Sequence, residues 1–385
     1  MIDPFKMDAL ANWLTAGAPP RMPIDGTVLE LARRMVGAGL SVATLSIFVK
    51  TINPRFLGTR VSWTPRKGVE LVPYSHAQLA SSEYVGSIPE ATMESGRTIR
   101  MRLGTSSPYD AHPASQLMLS RGITDYVVCP LFGRFTPASA MAVGTKAAGG
   151  FSDDDVATIR RLQAPLARVV ESVALHENTV SVLSTYVGRN AGEKVMDGRI
   201  LRGHTEDINA VILFADLRNF TALSNTLPPE QTVALLNTFF EAMDDAIRAN
   251  GGETLKFIGD GLLAIFPTED EPTAQTAAAM GAISALDDAR AILAARVEGP
   301  EFTFRAALHM GDIHYGNIGS PTRLDFTAVG PAVNLTARLL QASAELDVPT
   351  VCSDAFAPLA RARCTPTRAF TFKGFSDPIM VHKVG

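Results

Sequence analysis

Two aspartates end apolar segments of this sequence, and both could bind a metal ion. Asp216 closes the apolar run 208–216, and Asp260 lies in the Gly259-Asp260-Gly261 turn. If the two segments are neighbours in one sheet, the carboxylates meet at its edge and repel each other unless a cation joins them. Such oxygen ligands suit Mg²⁺ or Mn²⁺, and a pair of these ions can catalyse phosphoryl transfer. Taken singly, each aspartate could instead be a helix cap or a turn former.

A second pair of residues could bind an oxyanion. Gly330 and Pro331 precede a predicted helix that carries Asn334 and Arg338. Residues four apart lie on one face of a helix, so the amide and the guanidinium stand side by side. Such a donor pair suits a phosphoryl group in its transition state.

The elements that must position these residues follow from the apolar pattern. Residues 208–216 predict a buried strand that delivers Asp216 to its exposed end. A helix is predicted after Pro228 and Pro229, ending before Gly251. Residues 254–258 and 262–266 flank the glycine turn and predict a β-hairpin with Asp260 at its tip.

Four ordered motifs resemble the catalytic domain of class III nucleotidyl cyclases. They are 214–221 (FADLRNFT), 256–261 (KFIGDG), 316–320 (GNIGS) and 333–338 (VNLTAR). The resemblance covers about residues 206–385. It implies a ferredoxin-like α+β domain that works as a head-to-tail homodimer, with active sites between the subunits.

The resemblance also implies roles for individual residues. Asp216 and Asp260 match the metal ligands, with the Leu217 carbonyl as a further ligand, for two Mg²⁺ or Mn²⁺ ions per site. Asn334 and Arg338 match the pair that orients the ribose and stabilises the pentavalent phosphorus. The implied substrate contacts are Lys256 and Thr327 at the base, Arg323 and Lys373 at the phosphates, and Phe220 and Thr221 in the helix start 217–221, whose amides would hold the β- and γ-phosphates.

These matches predict an adenylyl cyclase that converts ATP to 3′,5′-cyclic AMP and pyrophosphate. Lys256 matches the base-reading lysine of adenylyl cyclases, but Thr327 stands where many members carry Asp. A hydroxyl accepts and donates, so it excludes guanine less firmly than a carboxylate would. A guanylyl or mixed-specificity cyclase therefore stays open, as does a non-catalytic nucleotide-binding regulator.

The N-terminal half has a weaker pattern. Residues 1–23 contain four prolines around one short apolar stretch and predict a terminal arm. Paired apolar strands at 125–131 and 138–144, followed by a Phe-Ser-Asp-Asp helix start at 151–154, resemble a GAF sensory domain over residues 24–155. That resemblance implies a small-molecule or dimerisation module that regulates the cyclase; the alternative is an α+β spacer without a ligand.

Residues 156–205 are predicted to be a coiled-coil helix and a transducing segment. Nine positions spaced alternately by three and four favour a parallel dimer seam. They are Ile159, Leu162, Leu166, Val169, Val173, His176, Val180, Leu183 and Val187. The segments 186–189 and 198–203 resemble the short transducer that bacterial class III cyclases carry before the catalytic domain.

Composition limits the remaining function classes. The 385 residues fit two domains, and 46% hydrophobic with 19% charged residues is a globular composition. A net charge of -4 gives no basic excess for binding nucleic acid. No apolar run is long enough to span a membrane, so a cytoplasmic protein is expected. Cys129, Cys352 and Cys364 are too few and too irregularly spaced for a disulfide framework or zinc site and are expected to be free thiols.

Overall fold

The computed structural model describes residues 2–18, 22–51, 56, 58–79, 81–82, 84–105, 108–136, 138–296 and 302–385. The chain divides into two compact units, Met1–Val182 and Leu183–Gly385. Each is a mixture of helices and strands, as predicted. Within the described ranges, no helix combines the length and the apolar character needed to cross a bilayer.

The first unit is a sheet covered by helices. Its elements are α1 (Pro4–Thr15), α2 (Ile24–Gly37), β1 (Thr44–Lys50), β2 (Gly58–Thr64), β3 (Gly68–Tyr74), α3 (His76–Leu79), α4 (Ile88–Ser95), β4 (Ile99–Arg102), α5 (Pro113–Ser120), β5 (Asp125–Leu131), β6 (Ser139–Thr145), α6 (Asp153–Arg161) and α7 (Gln163–Val187). The boundary between the units falls inside α7.

The N-terminal sheet has the order β3-β2-β1-β6-β5-β4, and its neighbouring strands are antiparallel. The predicted pairing of 125–131 with 138–144 is confirmed by the β5–β6 hairpin. The predicted cap of the following helix is also confirmed, because Ser152 and Asp155 form a reciprocal capping box at the start of α6. One face of this sheet packs on α2, α6 and α7, and alternate residues of β1 and β2, among them Leu45, Ile47 and Val61, belong to that core.

The N-terminal arm predicted for residues 1–23 is wrong for α1. Asp3 caps this helix, and its Met7, Leu10 and Leu14 are buried in the main core of the first unit. Spacings of three and four put them on one helical face, which removes their apolar area from water. Residues 1 and 19–21 of the predicted arm lie outside the described residues.

The first part of the predicted dimer seam is also wrong. Ile159, Leu162, Leu166 and Val169 are buried in the first unit's own core, and Val173 packs partly against it. The helix is interrupted between α6 and α7, just before Pro165. Val187 packs on an apolar cluster of the second unit. The seam positions between Val173 and Val187 stay a prediction of a contact between copies.

The second unit contains a larger sheet. Its elements are α8 (Arg189–Met196), β7 (Thr205–Leu217), α9 (Phe220–Thr226), α10 (Pro229–Ala249), β8 (Glu253–Ile258), β9 (Gly261–Thr268), α11 (Pro272–Arg296), β10 (Phe304–Ser320), β11 (Arg323–Val329), α12 (Pro331–Leu346), β12 (Thr350–Ser353), a 3₁₀ segment (Ala357–Arg363), β13 (Cys364–Phe370) and β14 (Ile379–Val384).

The C-terminal sheet has the order β13-β14-β12-β10-β7-β9-β8, and β11 pairs with the C-terminal half of β10, residues 314–320. Alternate residues of β7 face opposite sides. Leu213 and Ala215 pack on α10 and α11, whereas Ala210 and Ile212 share a cluster with the first residues of α12. The predicted strand, the helix after Pro229 and the β8–β9 hairpin are all confirmed.

Candidate active site

Asp216 and Asp260 come together where the end of β7 meets the start of β9 in the C-terminal sheet, and we call this pair the acidic edge. Asp216 lies near the end of β7, in register with Gly261 of β9, and Asp260 occupies the turn that precedes β9. The Leu217 amide donates to the Asp260 carbonyl oxygen over 3.3 Å and holds the turn against the strand end. The structure thus produces the juxtaposition that the sequence predicts.

The acidic edge is electrostatically unfavourable without a cation. The Oδ1 atom of Asp216 is buried and has no hydrogen-bond partner among the described residues. Burial raises the pKa of Asp216 to about 6; Arg305 across the β7–β10 pair opposes this, and the charge of Asp260 adds to it. A buried carboxylate oxygen without a donor costs free energy, and a divalent cation would remove that cost. Asp216 and Asp260 therefore fit a metal site, and the Leu217 carbonyl stays a predicted ligand.

The turn after β7 leaves two backbone amides for a ligand. The helix α9 begins at Phe220, after Asn219 in the left-handed region, and its first bonds run from Ala222 and Leu223 to the Asn219 carbonyl oxygen. The amides of Phe220 and Thr221 thus lie outside the helix's own bonds.

The first two amides of the segment 217–221 are already hydrogen-bonded within the fold, so the predicted phosphate contacts rest on the free amides of Phe220 and Thr221. Leu217 donates to Asp260, and the Arg218 amide donates to the Thr303 carbonyl oxygen over 2.9 Å. Both amides are used by the sheet edge and are not available to a phosphate.

Lys256, Asp325 and Thr327 form a group that we call the Lys256 cluster. The Lys256 ammonium of β8 donates to Asp325 Oδ2 of β11 over 2.6 Å. Thr327, two residues further along β11 and so on the same face as Asp325, is only 5% exposed. Its Oγ1 atom has no hydrogen-bond partner in the part of the chain that the structure describes. The cluster therefore offers a cation and an unpaired hydroxyl to a ligand, with a carboxylate holding the cation.

Sequence reasoning identified Lys256 and Thr327 and missed Asp325. The signal was present in the alternation of β11, where 325 and 327 must share a face. The contact itself depends on the distance between β8 and β11, which the sequence does not reveal.

Asn334 and Arg338 lie on one exposed side of α12, which we call the donor face. The opposite side buries Leu335 and Leu339 against the sheet. The Arg338 Nη1 atom donates to Gln341 Oε1 over 3.2 Å, and no carboxylate is ion-paired with Arg338 within the described ranges. The donor face thus presents a cation whose partner among the described residues is neutral.

The donor face and the acidic edge stand apart within one chain. Gly330, just before α12, lies beside Asp312, which pairs with Asn209. Asn209 precedes Asp216 along β7 by a distance of roughly 23 Å in an extended strand. The other end of α12 is tied to the acidic edge, because Arg218 forms an ion pair with Asp347.

The axial rise of α12 gives the separation of the two donors from that tied end. Asn334 lies about 20 Å and Arg338 about 14 Å from Asp347 along the helix axis. The donor face is therefore separated along α12 from the end of the helix that is tied to the acidic edge.

The two remaining predicted phosphate contacts are exposed. Arg323 begins β11, where its amide donates to Ser320 Oγ over 3.0 Å, and Lys373 follows the buried Phe372. Neither side chain forms an ion pair with any described residue. Their phosphate contacts stay predictions.

Residues 204–376 match the family described as the adenylate and guanylate cyclase catalytic domain. The second unit carries a class III cyclase catalytic domain. Two curated relatives support this. The chain is 31% identical over 130 residues to an adenylate cyclase of Anabaena cylindrica, covering 33% of this chain and 26% of that protein. It is 33% identical over 131 residues to adenylate cyclase 1 of Rhizobium meliloti, covering 33% of this chain and 20% of that protein.

Among solved structures, the adenylyl cyclase CyaB from P. aeruginosa is similar to the cyclase domain. It is 26% identical, and the match covers 47% of this chain and 96% of that chain with a TM-score of 0.42. The chain spans about a quarter of the Anabaena relative and a fifth of the Rhizobium relative.

Asn317 of the 316–320 motif anchors the segment that precedes the cyclase domain. It is 4% exposed, and its Nδ2 atom donates to the Arg199 carbonyl oxygen over 2.7 Å. Its backbone also exchanges hydrogen bonds with Gly203 and His204. Arg199 and Lys194 in turn form ion pairs with Glu206 at the start of β7. The predicted transducer segment is thus attached to β7 and β10, a role that the motif alone did not show.

Proposed function

We propose that this chain is an adenylyl cyclase that converts ATP to 3′,5′-cyclic AMP and pyrophosphate, in sites shared by two copies of the chain. The observation that carries the proposal is the buried, unpaired Oδ1 of Asp216 beside Asp260. A cyclase needs a metal-binding acidic pair at this place, and a domain that had lost metal binding would gain nothing from such an unfavourable pair. The two adenylate cyclase relatives favour ATP as the substrate.

In the proposed reaction, the ribose 3′-oxygen forms a bond to the α-phosphorus while the bond from that phosphorus to pyrophosphate breaks. The 3′-hydroxyl proton passes to solvent. Two Mg²⁺ or Mn²⁺ ions, when bound by Asp216 and Asp260, would supply Lewis acidity to the attacking and leaving oxygens. The Phe220 and Thr221 amides bind the terminal phosphates.

The donor face acts on the reacting phosphoryl group. Arg338 donates to the oxygens of the α-phosphoryl group, on which negative charge develops in the transition state. Asn334 orients the ribose so that its 3′-oxygen is aligned with the phosphorus.

The separation of donor face and acidic edge supports a shared site. A twofold dimer brings the donor face of one copy to the acidic edge of the other and builds two equivalent sites. The ferredoxin-like arrangement of the catalytic sheet belongs to the same proposal.

A guanylyl or mixed cyclase is the second candidate, and the Lys256 cluster is the observation that favours it. The Thr327 hydroxyl accepts from an adenine amino group or donates to a guanine carbonyl. Asp325 is bound to Lys256, but its carboxylate could also accept from the N–H groups of guanine. Adenine recognition by Lys256 and Thr327 thus comes without a strong penalty against guanine.

The first experiment measures cyclic AMP from ATP and cyclic GMP from GTP in parallel, with the full chain and either Mg²⁺ or Mn²⁺. We expect cyclic AMP formation to have the larger kcat/KM. Preferential cyclic GMP formation would establish the second candidate. Binding of ATP without either product, with both metals at saturation, would show a non-catalytic regulator.

Regulation by the first unit is part of the proposal. Its GAF-like identity would make it a sensory module, and the transducer anchored by Asn317 is the part of the cyclase domain through which a signal could act. Removal of hydrogen bonding with Asn317→Ala should change cyclase activity without changing nucleotide selectivity.

A further inference from the structure

A cavity of about 330 Å³ lies in the first unit, on the sheet face opposite the main helical core. Its walls are mostly apolar and aromatic, including Phe48, Tyr84 and Tyr126 with Met101. The strands β1, β2 and β5 form its floor, and α4 and α5 line it from the side. Ligand pockets in proteins span roughly 300–1,000 Å³, so this cavity is large enough for a small molecule.

Arg60 is a cationic group that lines this apolar space. It projects from β2, in register with Phe48 of β1, and its guanidinium carbon lies 5.7 Å from the centre of the Tyr74 ring. Its Nε atom is buried without a hydrogen-bond partner, and within the described residues no carboxylate is ion-paired with Arg60. A partly buried guanidinium whose Nε atom has no acceptor is stabilised when an anion binds to it.

Another partly buried arginine of this unit, Arg100, is neutralised by the fold itself. Arg100 donates to the fully buried Asp125 over 2.8 Å and also pairs with Asp153. These ion pairs connect β4 with β5 and with the start of α6. Arg100 thus has a structural role, and its charge is balanced by carboxylates of the fold. Arg60 differs because it lines a cavity and has no acidic partner in the part of the chain that the structure describes.

We propose that this cavity binds a small aromatic carboxylate, with the carboxylate on the Arg60 guanidinium and the ring between the aromatic side chains. The guanidinium matches a carboxylate through two parallel N–H···O bonds. Ring contacts with Phe48, Tyr84 and Tyr126 supply the apolar part of recognition. The volume lies at the small end of the range of small-molecule sites, roughly 300–1,000 Å³, and accommodates a small aromatic acid. Binding at this site does not depend on the proposed cyclase reaction.

Calorimetric titration of the full chain tests the proposal with three probes: benzoate, trans-cinnamate and indole-3-acetate. We expect at least one to bind with one site per chain. The matched amide of the best probe should bind about tenfold to a hundredfold more weakly, since it loses the charge-assisted bonds. This comparison uses the unaltered protein, so it does not depend on how any variant folds.

Arg60→Gln and Arg66→Gln form the matched pair of variants. Arg66 is exposed in the β2–β3 turn, away from the cavity. Arg60→Gln should weaken the acid about tenfold or more and remove the preference for acid over amide, whereas Arg66→Gln should bind like the wild type. Failure of all three acids to bind at millimolar concentration would overturn the proposal, as would equal binding of acid and amide.

Cyclase activity is measured separately in the same samples. Probe binding with no cyclic nucleotide formed would leave the cavity proposal standing and contradict the proposed function. Cyclic nucleotide formation with no probe binding would contradict the cavity proposal and leave the proposed function standing.

Discussion

The acidic edge consists of half-buried carboxylates at strand ends, and it is held by backbone hydrogen bonds whether or not a ligand is present. The donor face consists of side chains on the outside of a helix, where the partner of Arg338 among the described residues is the neutral Gln341. The acidic edge is electrostatically unfavourable alone, and the donor face has no carboxylate ion-paired with Arg338 within the described ranges. The acidic edge needs a cation, which a metal ion would supply. The donor face needs an anion, which a bound nucleotide would supply. Catalysis by this domain is expected to require assembly rather than a conformational change within one copy.

The largest expected effect is on the acidic edge. Asp216→Ala should lower cyclase activity by roughly a thousandfold or more, because the metal site loses a ligand. Glu269→Ala is the matched control, since Glu269 is an exposed carboxylate beyond the other end of β9. Activity would be measured at saturating Mg²⁺ and Mn²⁺, with circular dichroism to verify the fold. Near wild-type turnover in the Asp216 variant would remove this residue from the metal site.

Mixing two inactive variants tests whether the two components come from different copies. Asp216→Ala and Arg338→Ala chains should each be inactive, and their heterodimer contains one site free of both changes. Activity should recover to at most about half of the wild-type level per dimer.

Subunit exchange must be verified in that mixture, for example by native mass spectrometry of differently tagged chains. An exchanged mixture without activity would contradict the shared site. A fully active monomer would contradict the dimer itself.

Base recognition should give an intermediate effect. Lys256→Glu should lower kcat/KM for ATP by roughly tenfold to a hundredfold, because a carboxylate repels the acceptor edge of adenine. Asp325→Asn should have a smaller effect, mainly on KM, since Lys256 stays and loses only its partner. Unchanged ATP kinetics in Lys256→Glu would exclude this residue from base contacts.

The smallest effect concerns metal binding without substrate. Since the pKa of Asp216 is raised to about 6, its carboxyl is mainly protonated at pH 5 and ionised at pH 8. In the metal-free protein this group makes folding less favourable as the pH rises from about 4 to 6, because the folded state holds the proton more tightly than the unfolded state. Mn²⁺ binds the ionised form, so it should raise the melting temperature more at pH 8 than at pH 5.

Differential scanning fluorimetry with millimolar Mn²⁺ measures this shift, for which we expect about 5 °C at pH 8. Asp216→Asn should lose the shift, and Glu269→Gln should keep it. An equal shift at both pH values would contradict the assignment of Asp216 as a ligand.

The elements of the catalytic unit were more predictable from sequence than those of the first unit, because short stretches of sequence determine them. The strand before Asp216, the glycine turn at Asp260 and the glycine-proline start of α12 are each encoded within a few residues. The contact between Lys256 and Asp325 is not, because it depends on how two distant strands approach each other.

The errors in the first unit have a different physical origin. The spacing from Ile159 to Val169 fits a dimer seam and a buried helix equally well, and only the surrounding core decides between them. In α1, the prolines near the helix favoured the prediction of an irregular arm, although the apolar face of the helix is buried in the core.

The ion pair between Arg218 and Asp347 has a geometric consequence for the proposed dimer. It ties the chain just after the acidic edge to the end of the helix that bears the donor face. Each copy then acts as a spacer of set length between half of one site and half of the other. Packing of α12 on the sheet maintains the same spacing. Because the dimer would be twofold, any change in this spacing would affect both sites equally, so they would lose or keep their geometry together.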